Sequence, residues 1–235
     1  MKNHQPFISA VIVAAGSSSR MGEGVNKQLL MIDDMPVVAK SILAFEQNEA
    51  VGEIVAVTRM ENIMDIAAMA KVYGFSKLRE VVAGGDTRQE SVAKGIESVS
   101  KDAEYYIIHD GARPLVSQQC ISHVIEDALH HGAATAGVPV KDTIKRVDAN
   151  GLVRETPDRS VLYITQTPQM FKADLYRQVF SRAQRQGLDF TDDCQLFEQA
   201  GYPVCMSAGD YTNIKITTPE DVLFAQLLAQ AWADR

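Results

Sequence analysis

The sequence is poor in cysteine and contains no long apolar run. Its three cysteines, Cys120, Cys194 and Cys205, stand at spacings that match no metal-binding or redox motif. An odd number without a disulfide framework is typical of a reducing compartment, so we expect the chain to work in the cytoplasm. No apolar run approaches the roughly 20 residues that a membrane-spanning helix needs. Residues 1–6 lack the apolar segment of a signal peptide. We therefore expect no membrane partner.

Basic residues are also in the minority. The 235 residues include 23 lysines and arginines against 30 aspartates and glutamates, which gives a formal net charge of −7 at pH 7. A nucleic-acid-binding protein usually presents a basic face, so we expect no nucleic-acid partner. An anionic ligand would need a local cluster of cations, because the overall field repels it. The length and the 46% hydrophobic content suit one large α/β domain over residues 1–235.

What the sequence does contain is an apolar strand that runs into a loop of small residues. Residues 8–13, Ile-Ser-Ala-Val-Ile-Val, are mostly β-branched and predict a buried strand. In residues 14–22, small side chains let the backbone approach a ligand, and backbone N–H groups can cradle phosphate oxygens. With Arg20 and Lys27 at its mouth, this loop predicts a nucleoside triphosphate site. The alternative is an ordinary turn between a strand and a helix.

Two familiar phosphate-binding loops do not fit this stretch. The dinucleotide fingerprint needs glycines at fixed offsets, which Gly16, Gly22 and Gly24 do not have. The Walker loop needs a lysine directly after its second glycine, and Gly22 is followed by Glu23. The loop therefore indicates another kind of nucleotide site.

The rest of the chain alternates between strand and helix patterns, which predicts a doubly wound, mostly parallel α/β sheet with helices on both faces. Ser117 is a predicted N-cap, and Gly74 and Gly132 are predicted to end helices. We predict helices over 37–47, 61–73, 91–99, 118–131, 173–186, 191–200 and from 219 onward. We predict strands over 8–13, 53–58, 79–83, 104–109, 133–140, 162–166, 203–206 and 213–216.

The alternation breaks between residues 141 and 160, a charged stretch with few apolar residues. Residues 143–147 and 152–154 alternate around the Asn-Gly turn in 148–151, which predicts a hairpin. An isolated hairpin is marginally stable, so we expect this protruding β-arm to pair with a second copy of the chain in a homodimer. The alternative is an insertion that pairs with nothing.

Four of the predicted strand ends are unusually polar or rich in glycine. In a doubly wound sheet, ligands sit beyond the carboxyl ends of the strands, so we expect the four segments to line one crevice. They are residues 14–20, 84–91, 110–114 and 213–217.

Three residues near this predicted crevice each have an alternative interpretation. Asp110 at the end of a buried strand can hold Mg²⁺ or a sugar hydroxyl, or be an ordinary turn aspartate. Lys215 and Arg159 could instead be surface charges. His109 adjoins Asp110, but no serine or cysteine nucleophile motif accompanies it, so a hydrolase triad has little support.

Several segments together resemble one family. The first loop alone is similar to the signature of the sugar-nucleotidyltransferase superfamily, with a Rossmann-like nucleotidyltransferase fold. Nearly the whole chain resembles the 2-C-methyl-D-erythritol 4-phosphate cytidylyltransferases of the non-mevalonate isoprenoid pathway. Val13 stands where many members carry proline. The resemblance is carried by 14–27, Gly84-Gly85-Asp86, Arg88, Ser91, 109–114, Asp142-Thr143, Lys145-Arg146, Asp158-Arg159, 166–169, Thr191-Asp192 and 213–215.

This resemblance implies a reaction in which CTP and a sugar-alcohol phosphate give a diphosphocytidyl product and pyrophosphate, with Mg²⁺ bridging the triphosphate and Asp110 a candidate metal ligand. It assigns Ala14, Ala15 and Gly16 to the triphosphate, and Gly85, Asp86, Arg88 and Ser91 to the nucleotide. It assigns Arg20 and Lys27 to the charge on the reacting phosphates, and Arg159 and Lys215 to the acceptor phosphate. It assigns Asp110, Arg113 and Thr191 to the acceptor, with Thr143 and Arg159 supplied by the partner's arm.

Two alternatives stay open beside this hypothesis. A ribitol-5-phosphate cytidylyltransferase would share the fold, the loop and the chemistry, although Ala112-Arg113-Pro114 looks more like the methylerythritol enzymes. A non-catalytic CTP-binding regulator would bind CTP without releasing pyrophosphate. The intact set of Arg20, Lys27, Asp110 and Lys215 argues against the regulator.

Overall fold

The computed structural model describes residues 5–17, 19–22 and 25–233, which form a central sheet covered by helices on both faces. The strands are β1 Ile8–Val13, β2 Met31–Ile32, β3 Met35–Pro36, β4 Val51–Thr58, β5 Leu78–Ala83, β6 Tyr105–Asp110, β7 Ala133–Pro139, β8 Arg146–Val147, β9 Val153–Glu155, β10 Tyr163–Lys172 and β11 Cys205–Ala208. The α-helices are α1 Val37–Glu46, α2 Ile63–Tyr73, α3 Arg88–Ser98, α4 Gln118–His131, α5 Ala173–Arg185, α6 Cys194–Gln199 and α7 Pro219–Ala233.

The main sheet has seven strands in the order β11-β7-β10-β6-β1-β4-β5. All neighbouring strands run parallel except β10, which is antiparallel to both β6 and β7. The predicted α/β, mostly parallel sheet is therefore confirmed. At the end of the central strand β1, Val13 pairs with Val57 on one side and with Asp110 on the other. Because these strand ends are level, the loops that follow them leave the sheet side by side.

Alternate side chains of β1 point to opposite faces of the sheet, and each face has its own apolar core. Ile12 lies in the cluster that includes Ile42 and Phe45 of α1 and residues of α4. Its neighbour Val11 lies in the other cluster, with Tyr176 of α5 and Phe197 of α6. A strand buried on both faces explains why the sequence of β1 is a continuous apolar run.

The predicted helix ends are confirmed where the signal is local. The side chain of Ser117 accepts a hydrogen bond from the N–H of Cys120 at the start of α4. Gly132 and Gly74 end α4 and α2 in the left-handed conformation, with φ of 87° and 72°. The left-handed conformation costs little free energy only for glycine, which has no Cβ.

Two strand predictions are wrong. The strand expected to stop at Gln166 continues as β10 to Lys172, with an irregularity between Thr165 and Gln169. Residues 213–216 form no strand in the described structure. They are held instead by the Asn213 amide, which donates to the Thr167 carbonyl at 2.9 Å, and by one backbone bond from Ile216 to Ala112.

The arm at residues 141–160 contains the predicted hairpin. Strand β8 pairs antiparallel with β9, and Gly151 in the connecting turn has a φ of 79°. At the base of the arm the N–H of Val140 donates to the carbonyl of Leu162 at 3.0 Å. Nearly every side chain of the arm is exposed.

Among the described residues, no helix combines the length and apolar content that a bilayer crossing requires.

Candidate active site

A cavity of about 500 Å³ opens beyond the carboxyl ends of β1, β5 and β6. All four polar segments identified in the sequence contribute to it, although residues 213–217 do so without being a strand end. Of the first loop, Ser18, Glu23 and Gly24 lie outside the described residues. The lining consists of Val13, Ala15, Gly16, Ser17, Arg20, Lys27, Gln28, Gly85, Asp86, Thr87, Arg88, Ser91, Asp110, Ala112, Lys215 and Thr217.

The first loop is fixed at both of its ends. The N–H of Ala14 donates to the carbonyl of Val57 at 2.6 Å, which extends the β1–β4 pairing by one residue. A short 3-10 helix, Ser19–Met21, follows, and Met21 is buried in a third apolar cluster with residues of α7. This anchor sets Arg20 at the mouth of the cavity, while Lys27 lines it with 9% of its surface exposed.

The second turn, residues 84–91, approaches the first loop closely. A Cβ added at Gly84 would lie 2.4 Å from the Ala15 Cβ, so this position accepts only glycine without a shift of one loop. The Ser91 hydroxyl accepts from the N–H of Gly85 at 3.1 Å and donates to the carbonyl of Thr87 at 2.9 Å. A capping box between Thr87 and Glu90 starts α3 directly below. The turn is therefore rigidly held against the loop.

Asp110 lies at the back of the cavity and contacts three cations. Lys215 Nζ lies 2.8 Å from Oδ2, Arg113 Nε 3.5 Å from Oδ2, and Arg88 Nε 3.5 Å from Oδ1. Burial alone would raise the pKa of the Asp110 carboxyl, but the charges of Lys215, Arg88 and Arg113 outweigh burial and hold the pKa far below its usual range. Asp110 therefore stays ionised and fixes these cations around one point.

Arg88 connects this cluster to Asp193 at the start of α6. Its Nη1 lies 2.5 Å from Oδ2 of Asp193, and the hydroxyl of Tyr176 donates to Oδ1 of the same carboxylate at 2.6 Å. Because Arg88 and Asp193 are both largely buried, removing one partner would leave the other charge without compensation. The Arg88 side chain is thus held by two carboxylates from different parts of the chain.

The electrostatics of the cavity favour an anion. The pKa of Lys27 is lowered by burial and then by the nearby charges of Lys215 and Arg20, against which Asp110 and Asp221 act only in part. Cations that disfavour each other's charge mark a place where a phosphate would be stabilised. This concentration of positive charge stands in contrast to the net charge of −7 of the whole chain.

Both imidazole nitrogens of buried His109 make hydrogen bonds that the sequence did not indicate. Its Nε2 lies 3.2 Å from the carbonyl of Arg113, and its Nδ1 lies 3.1 Å from Thr167 Oγ1, which itself accepts from the N–H of Asp110 at 3.0 Å. Burial lowers the pKa of His109 to about 4, so the ring is neutral at pH 7. Both nitrogens are engaged, which leaves none to activate a nucleophile and argues against a hydrolase triad.

Five other site predictions do not line this cavity in the described part of the chain. The side chain of Ala14 is buried in the first apolar cluster instead. Arg113 lies behind Asp110 and donates to the carbonyl of Asn213 at 2.7 Å. The N–H and hydroxyl of exposed Thr191 both donate to Gln195 Oε1. Thr143 is exposed on the arm, and Arg159 at its base donates to the carbonyl of Lys141 at 2.6 Å. Their assignments stay predictions.

The cavity does not offer a protein-built cage for a metal ion. The described carboxylates that line it are Asp86, which is exposed, and Asp110. Both oxygens of Asp110 already face the nitrogen atoms of cations. Since Mg²⁺ needs negatively charged oxygens that are not shared with competing cations, the residues present do not fit direct ligation by Asp110.

The cavity is equipped to hold and neutralise phosphates. It offers backbone from two small-residue turns and positive charge from Arg20, Lys27 and Lys215. In a doubly wound α/β sheet, these features define a nucleotidyltransferase.

Comparison with known proteins gives the particular family. The family model described as 2-C-methyl-D-erythritol 4-phosphate cytidylyltransferase matches residues 8–231. The protein of that name from Desulforamulus reducens is 46% identical over 220 residues, covering 93% of this chain and 94% of the relative. The one from Caldanaerobacter subterraneus is 45% identical over 227 residues, covering 94% and 97%. The chain belongs to the 2-C-methyl-D-erythritol 4-phosphate cytidylyltransferase family.

Solved structures agree with this assignment. The crystal structure of a 4-diphosphocytidyl-2C-methyl-D-erythritol synthase from Anaerococcus prevotii superposes with a TM-score of 0.86 at 30% identity, covering 96% of this chain and 97% of that one. A 2-C-methyl-D-erythritol 4-phosphate cytidylyltransferase from Thermus thermophilus gives a TM-score of 0.76 at 31% identity, covering 95% and 99%.

Proposed function

We propose that this chain joins CTP to 2-C-methyl-D-erythritol 4-phosphate and releases pyrophosphate. In the proposed step, a phosphate oxygen of the acceptor forms a bond to the α-phosphorus of CTP. The bond from that phosphorus to the oxygen bridging it to the β-phosphate breaks. The observation that carries the proposal is the cavity in which the loop bearing Arg20 and Lys27 meets the 84–91 turn.

The chemistry asks the protein for position and charge rather than for proton transfer. The acceptor phosphate is already ionised at neutral pH, so no general base is needed, which agrees with a neutral, fully bonded His109. The obstacle is the approach of two anions. In our proposal Arg20 and Lys27 stabilise the charge that grows on the transferred and leaving phosphates.

The other residues of the site are assigned in our proposal to the triphosphate, the acceptor and the nucleoside. We assign Ala14, Ala15 and Gly16 to the triphosphate. We assign the acceptor phosphate to Lys215 and the acceptor hydroxyls to Asp110 and Thr191. In this arrangement Asp110 also fixes Lys215 at 2.8 Å before the acceptor arrives. The assignments to cytosine and ribose are Gly85, Asp86, Arg88 and Ser91.

We further propose that the arm crosses to a second copy of the chain in a homodimer. Arg159 and Thr143 would then reach the partner's cavity, which explains why neither lines its own. The support is the apolar surface that the arm and its base expose, since contiguous exposed apolar patches mark interaction surfaces. Its most exposed members are Val147, Leu152, Val153 and Val161, between 53% and 73% exposed.

The proposal also covers the metal ion that accompanies the substrate and the cellular compartment in which the chain works. We propose that Mg²⁺ accompanies CTP, held by phosphate oxygens and water, because the cavity supplies no cage for it. The cysteines, all of which are free, are consistent with the cytoplasm.

One pyrophosphate-release assay tests this function. CTP, UTP, ATP and GTP are each combined with 2-C-methyl-D-erythritol 4-phosphate and, separately, with ribitol 5-phosphate. We expect release only with CTP and the methylerythritol acceptor. Release only with ribitol 5-phosphate would assign the alternative transferase. Saturable CTP binding without release from either acceptor would assign a regulator.

A further inference from the structure

We propose that Asp127, His131 and Cys205 form a second ligand site, which binds a divalent transition metal of the zinc class. In the described part of the chain, a carboxylate oxygen of Asp127, a ring nitrogen of His131 and the sulfur of Cys205 all lie within 4.8 Å of one another. None of these residues lines the nucleotide cavity.

The three donors meet where the end of α4 packs against the start of β11. Asp127 and His131 are four residues apart in the last turns of α4, a spacing that puts both side chains on one face of a helix. Cys205 is the first residue of β11, which packs against α4. The donor face of the helix therefore meets the start of the strand.

The donor types select the class of metal. Thiolate, imidazole and carboxylate are the ligands of Zn²⁺, which takes three protein donors and a water in open tetrahedral sites. Mg²⁺ prefers oxygen ligands only, so the site would not compete for the ion that accompanies CTP. Tetrahedral bonds of about 2.0–2.3 Å place ligand atoms roughly 3.3–3.7 Å apart. The donors must therefore close by about 1 Å, which a half-buried Asp127 and an exposed His131 can do by side-chain rotation.

The end of α4 independently favours a cation at this place. The helix stops at Gly132 in the left-handed conformation, and His131 lies in its last turn. The carboxyl end of a helix carries partial negative charge from its last carbonyl groups. An ion bound by Asp127 and His131 would lie beside that end.

The site is remote from the reacting groups. Cys205, Ala134, Met170 and Ile107 share one row across the sheet. Ile107 is three strand spacings, about 14 Å, from Cys205 across the sheet. Asp110 lies three residues further along β6, which adds about 10 Å in the strand direction. A metal there would tie α4 to β11 and stabilise the fold without entering the transfer step.

The test uses the full-length, untagged, metal-free chain and titrates it with Co²⁺, whose absorption reports thiolate ligation and tetrahedral geometry. We expect one equivalent to bind with a thiolate-to-cobalt band. Cys205→Ser should lose that band, and His131→Gln should weaken Co²⁺ binding at least about 100-fold. Zn²⁺ should raise the melting temperature of the unmodified chain and not that of either variant.

The matched control is His130→Gln. His130 is exposed, and its ring packs edge-on against that of His131 with centroids 4.6 Å apart, yet it is not one of the three donors. The control should bind Co²⁺ as the unmodified chain does. A thiolate band that survives in Cys205→Ser, no saturable Co²⁺ binding in the unmodified chain, or equal weakening by His130→Gln and His131→Gln would each overturn the proposal.

Discussion

Thr167 Oγ1 lies 3.1 Å from Nδ1 of His109, and a hydroxyl can donate or accept a hydrogen bond at that nitrogen. The other nitrogen, Nε2, faces the carbonyl of Arg113, which can only accept a hydrogen bond. Nε2 therefore bears the hydrogen and Nδ1 accepts from the threonine hydroxyl. Through these two contacts His109 ties β6 to the backbone of Arg113 and to Thr167 of β10.

We expect this buried histidine to make the stability of the protein depend on pH. The unfolded chain takes up a proton at His109 near pH 6.5, whereas burial lowers the folded-state pKa to about 4. Stability is therefore lost as the pH falls from about 6.5 towards 4. Between about pH 7.5 and about pH 5 the loss from this group is on the order of 2 kcal/mol. Urea unfolding at both pH values measures it.

The control for this prediction compares two histidine variants. His109→Gln should show a smaller loss of unfolding free energy over this pH range than the unmodified chain. The exposed His130→Gln should retain the full loss. An unchanged pH dependence in His109→Gln would contradict the prediction.

For Lys27→Ala we expect a much larger effect on turnover than on the affinity for CTP. The lysine lines the cavity where charge grows during transfer. Loss of one such donor typically lowers kcat about 10²–10³-fold. Steady-state kinetics with CTP and the acceptor measure the effect. Lys71→Ala, an exposed change on α2, should have no effect. Near-normal turnover of Lys27→Ala would refute the assignment.

The same lysine should set the alkaline limit of activity. Burial and the neighbouring charges of Lys215 and Arg20 lower its pKa, so it loses its proton below the ordinary lysine range as the pH rises. We expect kcat/KM to fall through that lowered pKa, because this ratio reports groups of the free enzyme. Lys27→Arg, which stays charged, should move the fall to higher pH even where its rate is reduced. Identical alkaline limbs would exclude Lys27 as the titrating group.

Selection of CTP over purine nucleotides should depend on the 84–91 turn. This turn is held closed by the hydroxyl of Ser91, which leaves no room for a second ring in our proposal. ATP and GTP should support little pyrophosphate release. Ser91→Ala should raise the KM for CTP about five- to tenfold, the value of one hydrogen bond. Ser98→Ala, at the other end of α3, is the control, and comparable turnover with ATP would show that the base binds elsewhere.

If the arm completes the partner's cavity, two inactive variants should restore each other. Lys27→Ala and Arg159→Ala homodimers are mixed and allowed to exchange subunits. One site of each mixed dimer combines an intact Lys27 with an intact Arg159, while the other site carries both changes. Random exchange makes about half of the dimers mixed, so roughly a quarter of all sites should regain activity.

A single-chain site gives the opposite result in this experiment. If Arg159 acts on the cavity of its own chain, every site keeps one change and nothing is restored. Native mass spectrometry verifies that exchange has occurred. Activity that stays at the level of the separate variants after verified exchange would exclude the shared site.

The parts of the fold that the sequence predicts are those with local signals. The β-branched run of β1, the cap at Ser117 and the stop at Gly132 each lie within a few residues of the structure they cause. Three of the four segments that line the cavity could be anticipated because parallel strands place their carboxyl ends at one edge of a sheet, whereas residues 213–217 reach it without being a strand end.

What the sequence could not show depends on contacts between distant residues. The alternation of Ile214 and Ile216 is the same for a strand as for a coil whose isoleucines pack in the third apolar cluster. The Asn213 amide that holds this coil bonds to Thr167, 46 residues away. The His109 ring likewise depends on a threonine 58 residues further along. No spacing rule in the sequence connects such partners.

The two ends of the arm are joined where it leaves the sheet. Val140 and Leu162 bond directly, and Pro139 pairs with Tyr163. A short turn could therefore replace the whole arm without shifting β7 or β10. Such a shortened chain would keep its core, its sheet and its cation cluster. If the arm completes the partner's cavity as proposed, one chain would suffice to fold, whereas two would be needed to catalyse.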